Sequence, residues 1–103
     1  MTTYSPGDSV LVPFPFTDLT KIKQRPAVVI SSHEFNASHN DLIVVAITSQ
    51  QPYNVEADEF LLADEEQRNA GLPKPSKVKC GKILSIDQRL VRKRLGTRSQ
   101  SAL

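Results

Sequence analysis

The sequence predicts a mainly β fold: a small, partly open barrel of five to six short strands with one short helix. Three observations point there. Short β-branched, apolar runs recur along the chain, prolines and glycines punctuate them, and the segment with the clearest helix character is a brief acidic stretch near the middle. A chain of 103 residues holds one such domain around a single modest core.

The first strand, DSVLVPF (8–14), follows the Pro6-Gly7 turn and alternates Val10, Val12 and Phe14 against Leu11 and Pro13. Proline gives no N–H to a ladder, so Pro13 and Pro15 are expected to end this strand on an edge. Phe14 and Phe16 are spaced i, i+2 and leave an extended backbone on one side. Either they plug a core or they stack on a ligand. RPAVVISS (25–32) and DLIVVAITS (41–49) are apolar on both faces, as strands buried on both sides are. Between them HEFNASHN is polar and holds at most a turn of helix. DEFLLA (58–63) reads as a fourth strand, and DEEQRNAG (64–71) as a short acidic helix stopped by Gly71. In SKVKCGKILSID (76–87), Val78 and Cys80 alternate with Lys77 and Lys79, which places the lysines toward solvent and Cys80 in the core. Gly81 then marks a bulge or bend before Ile83 and Ile86. LVRKRLG (90–96) is a last short strand.

The longest apolar run, LIVVAI (42–47), is far below the roughly 18 residues of a membrane span. MTTYSPGD has neither a basic nor an apolar leader region, so the chain reads as soluble and cytoplasmic, without a membrane partner. The lone Cys80 fits a reducing compartment. A net charge of +2 hides an asymmetry: residues 53–66 carry six acidic side chains and no basic ones, whereas residues 74–98 carry nine Lys or Arg against Asp87. Such runs are either ordinary solvated faces or a face for a polyanion.

No Gly-rich phosphate loop, nucleophile elbow or zinc-spaced Cys/His cluster is present, so no cofactor is expected. His33 and His39 could share acid and base roles in RNA cleavage, although plain surface histidines fit their polar loop better. What remains is a set of hydrogen-bonding groups at strand ends. If the second and third strands run antiparallel, Arg25 at the start of one comes near Thr48 at the end of the other. A guanidinium fork suits a phosphate, and a threonine hydroxyl can donate to a second phosphate oxygen. Alternatively, Arg25 pairs with Asp41 or Asp18 and Thr48 merely ends its strand.

The segments PGDSVLVPFPFTDLTKIKQRPAVVISS, ITSQ, GLPKPSKVKCGKILSID and KRLG occur in an order that resembles the MazF/PemK group of ribonuclease toxins of bacterial toxin–antitoxin pairs. The resemblance covers about residues 6–96. It implies an SH3-like, partly open barrel that forms homodimers and cuts single-stranded RNA, such as mRNA, sequence-specifically without a metal, by attack of the RNA's own 2′-hydroxyl. It carries DNA binding as a further expected property. The family's catalytic arginine, in its Arg-Pro step, matches Arg25, and the threonine of its Thr-Ser step matches Thr48. Around them Phe14, Phe16, Thr17, Lys21, Lys23, Ser49, Gln50, Lys77 and Lys79 are the expected RNA contacts. The expected protein partner is a cognate antitoxin whose acidic tail covers the basic groove. Family members continue past the closing Leu-Gly with a helix. TRSQSAL is too short to form one, so the expectation is a single domain over residues 1–103 that lacks it. A non-catalytic small-barrel module binding RNA or a peptide is the competing reading.

Overall fold

The computed structural model describes residues 3–15 and 22–97. Expectations for Phe16, Thr17, Lys21 and the segment 98–103 lie outside the described residues. Six strands, β1 (Ser9–Pro15), β2 (Ile22–Val29), β3 (Asp41–Thr48), β4 (Glu59–Leu61), β5 (Lys77–Asp87) and β6 (Lys93–Gly96), form one open sheet in the order β4-β5-β3-β2-β1-β6. All its pairings are antiparallel. Two short helices accompany it, α1 (His33–Ser38) and α2 (Asp64–Asn69), where the sequence reading gave one. The addition is α1, which forms because the Ser32 hydroxyl accepts the Phe35 N–H at 3.1 Å as an N-cap.

The sheet buries both faces. Val10, Val12, Phe14, Ala27, Val29, Leu42, Val44 and Ile86 make one core, and Val45, Ile47, Leu72 and Val78 make the other. β3 gives Leu42 and Val44 to the first and Val45 and Ile47 to the second, which is why DLIVVAIT is apolar throughout. Phe14 takes the core-plug role: it is buried in the first cluster, so its ring is not presented for stacking.

β1 does not end at its prolines; it continues to Pro15, opposite Ile22, so β2 starts earlier than expected. The neighbouring strand explains this. β6 pairs with β1 at Ser9, Val10 and Leu11, and the Leu11 carbonyl accepts the Arg92 N–H at 2.8 Å, so Leu11 turns its polar groups toward β6. By alternation Pro13 and Pro15 turn theirs the same way, past the paired stretch of β6, and their missing N–H groups cost the β1–β2 ladder nothing.

A second correction concerns Cys80, which is exposed rather than a core residue. The β3–β5 register shifts between Val45 and Ala46, whose partners are Ile83 and Lys79, and this loops residues 80–82 out of the ladder at the bend foreseen around Gly81. Gly71, just past α2, has φ +72° and would drive a Cβ into the Leu95 carbonyl oxygen, so the helix end and β6 meet backbone to backbone.

Leu42→Ala, at a fully buried site, is expected to lower stability by about 2–5 kcal/mol in urea unfolding. Ile83→Ala, at a side chain 60% exposed, is expected to change it by less than about 0.5 kcal/mol.

Candidate active site

The first core's face turns polar toward the end of β3, where Leu42, Val44 and Ala46 give way to Thr48. The β2–β3 ladder runs through Val29↔Val44, Val28↔Val45 and Ala27↔Ala46. The same register carried two residues further sets Arg25 opposite Thr48, the neighbours expected from an antiparallel connection. The residue between, Pro26, has no N–H to offer. Because Val29 donates its N–H to Asp8 on the β1 side, alternation turns the backbone of Pro26 toward β3. The ladder therefore stops where the chain reaches Arg25, and the half-buried Arg25 and Thr48 stand at its open end.

β5 completes the cluster. Thr48 faces Lys77 and Ala46 faces Lys79 across β3–β5, while Glu59 of β4 faces Lys79. Directly opposed residues project to one face, so Arg25, Thr48, Lys77, Lys79 and Glu59 share a side of the sheet. The Gln50 N–H donates to Thr48 Oγ1 at 3.1 Å, a bond that uses an oxygen lone pair and not the hydroxyl proton.

Lys77 departs from expectation: it is buried, not solvent-facing. β4 lies alongside and supplies a counter-charge, since Lys77 Nζ sits 2.8 Å from Glu59 Oε1, whose side chain is 4% exposed. Lys77 Nζ also donates to the Asn54 carbonyl at 2.6 Å. Without those partners a buried ammonium would be strongly disfavoured. Lys79 keeps more exposure and lies 3.8 Å from Glu59 Oε2. The hydrogen bond from Lys77, followed by that from the Glu56 N–H, holds the Glu59 carboxyl below the usual carboxylate range.

Of the other expected contacts, Lys23 is exposed near the start of β2, opposite Phe14, and Ser49 and Gln50 are exposed just beyond β3. His33 and His39 belong to the α1 region, which joins the far ends of β2 and β3, and they take no part in this cluster. His39 stacks on Phe35 with ring centroids 4.0 Å apart. Sequence reasoning missed Glu59, one of six acids in an undifferentiated run. The only signal for it was its alternation with Leu61, which becomes informative once β4 is paired with β5.

An apolar cavity of about 460 Å³ lies on the opposite face, lined by Val28, Val45, Ile47, Phe60, Leu62 and Val78 among others. These linings offer few groups for phosphate chemistry, so the polar strand end is the better candidate site.

Together these features define a small, open β-sheet domain with an arginine and a threonine set opposite each other at the broken end of its central ladder. Residues 5–103 match the family described as PemK-like, MazF-like toxins of type II toxin-antitoxin systems, and the chain belongs to that family. No curated protein matches it by sequence. Solved structures similar in fold include an endoribonuclease in complex with its cognate antitoxin from a Mycobacterial species, at 13% identity and TM-score 0.70, over 98% of this chain and 82% of that one. Another is an endoribonuclease from a Mycobacterial species, at 15% identity and TM-score 0.72, over 98% and 81%. A third is a MazE–MazF complex from Deinococcus radiodurans, at 20% identity and TM-score 0.71, over 100% and 87%.

The Glu59 interactions give a pH signature. A folded-state pKa below the ordinary 4.5 means that the carboxylate stabilises the fold above that value and loses its contribution as pH falls through the folded-state pKa. Thermal unfolding of Glu59→Gln is therefore expected to lie below wild type at pH 7, with the gap narrowing once pH drops below about 4.5.

Proposed function

We propose that this protein is the toxin of a toxin–antitoxin pair and acts as a metal-independent, sequence-specific endoribonuclease on single-stranded RNA, with Arg25 and Thr48 as its catalytic residues. The observation that carries the reading is the register that sets Arg25 opposite Thr48 just where Pro26 interrupts the ladder. Family membership and the ribonuclease names of the fold neighbours support the same assignment.

In this reading the 2′-oxygen attacks the adjacent phosphorus in line and the bond to the 5′-oxygen breaks. The products are a 2′,3′-cyclic phosphate and a free 5′-hydroxyl. The RNA brings its own nucleophile, so the protein must align it and stabilise the charge that builds on the phosphorane. Arg25 presents a planar fork of donors to two phosphate oxygens and Thr48 donates to one of them. A guanidinium makes a poor base. Glu59, engaged by two lysines and a backbone N–H, is a weak one. The 2′-hydroxyl proton therefore passes to water, and water returns one to the leaving 5′-oxygen.

The partners proposed are a second copy of the chain and an antitoxin with an acidic tail. Ile30 and Phe60, 48% and 49% exposed, border the apolar groove and offer area for a protein contact. The exposed Lys23, Arg92 and Lys93 offer counter-charges to an acidic segment.

Incubating the protein with long single-stranded RNA in excess EDTA is expected to give discrete fragments ending in cyclic phosphate. Retention of RNA without cutting would favour the binding-module reading. Arg25→Ala and Thr48→Ala are each expected to slow cleavage by about 10²- to 10³-fold, with thermal unfolding close to wild type because both are only half-buried, at the open end of the β2–β3 ladder. Undiminished cleavage by Arg25→Ala would remove the assignment.

A further inference from the structure

The loop joining β3 to β4, residues 49–58, starts one residue after Thr48 and is tied down along its length. Gln51 adopts φ 45°, in the left-handed region, and its carbonyl accepts the Asn54 N–H at 3.1 Å to close a turn. Lys77, directly opposite Thr48, reaches into that turn to hold the Asn54 carbonyl. Further on, Glu59 Oε1 accepts the Glu56 N–H at 3.0 Å, and the Asp58 carbonyl accepts the Cys80 N–H of β5 at 3.0 Å. The Lys77–Glu59 pair therefore holds the loop at two points, through the Asn54 carbonyl and the Glu56 N–H, and fixes it beside the strand end that carries Thr48.

Tyr53 stands in this turn with 73% of its surface exposed, more than any other large hydrophobic residue described. A ring carried on a fixed turn leaves only its own rotamers to be ordered, so a ligand that stacks on it meets a smaller entropy cost than on a mobile loop. The charged side chains nearest in sequence, Glu56 and Asp58, are acidic and exposed, and the ammonium of Lys77 is matched to Glu59. The loop thus presents RNA with an aromatic face rather than with cations. We propose that Tyr53 is a base-stacking residue of the RNA site, receiving a nucleobase next to the phosphate held by Arg25 and Thr48, with Lys77 as the positioning residue that fixes its loop. Stacking of this kind is how single-stranded RNA is commonly held alongside phosphate contacts. The inference rests on the ribonuclease reading above.

The test is steady-state cleavage of a single-stranded RNA that the wild type cuts. Tyr53→Ala is expected to raise KM by about tenfold or more while leaving kcat and thermal unfolding at wild-type values, since a contact made equally in ground and transition states appears in KM alone. Tyr53→Phe, which keeps the ring, is expected to behave as wild type. An unchanged KM for Tyr53→Ala, a loss confined to kcat, or a Tyr53→Phe as defective as the alanine variant would each overturn the proposal. Anisotropy of a labelled single-stranded RNA separates the two readings. Binding that weakens about tenfold in Tyr53→Ala, without cutting by the wild type, upholds the stacking residue and removes the nuclease. No binding by the wild type removes both.

Discussion

Pro26 has no N–H to give to β3, and the arrangement of the candidate site depends on that missing donor. Up to Ala27 the two central strands are laddered and their side chains are committed to the two cores. Beyond it the backbone loses a rung, and Arg25 and Thr48 stay opposed without having to serve as interior residues. An arginine at a fully laddered, doubly covered position would have to be buried and paired, at a high desolvation cost. At the broken end Arg25 keeps partial exposure, which is what the proposed function asks of a guanidinium that meets a phosphate.

The same economy runs through β5. A lysine opposite Thr48 could have been a mobile surface cation, but the arrival of β4 converts Lys77 into an interior cation matched by Glu59 and the Asn54 carbonyl. Each member of that set is costly to leave alone, so the set acts as a unit that ties β4, β5 and the loop after Thr48 together. Lys79 lies 3.8 Å from the same carboxylate and keeps more contact with solvent.

Much of the fold was legible because its signals are local. Period-two alternation, β-branched runs and the Pro6-Gly7 turn placed the strands, and a simple antiparallel connection was enough to bring Arg25 and Thr48 together. What was not legible depended on neighbours that the local pattern does not name. Pro13 and Pro15 remain in β1 because the paired stretch of β6 stops at Leu11, which nothing in LVPFPF announces. Cys80 leaves the core because the bulge at Gly81 starts one residue earlier than alternation implies. Lys77 is buried because a three-residue strand, Glu59–Leu61, pairs beside it, and no side chain in DEFLLA marks Glu59 as the partner. The stacking role considered for Phe14 is closed by core packing, and Tyr53, in the loop after Thr48, is the most exposed aromatic among the described residues.

The central claim is that the protein aligns a chemistry the RNA already contains. It is tested most directly by replacing a single nucleotide. A single-stranded RNA that the wild-type protein cuts at one position, remade with a 2′-deoxy sugar at the nucleotide before the scissile bond, is predicted to bind as before and to remain uncut there. Cleavage of the substituted strand at an unchanged rate would mean that the nucleophile comes from elsewhere, and would contradict the roles given to Arg25 and Thr48.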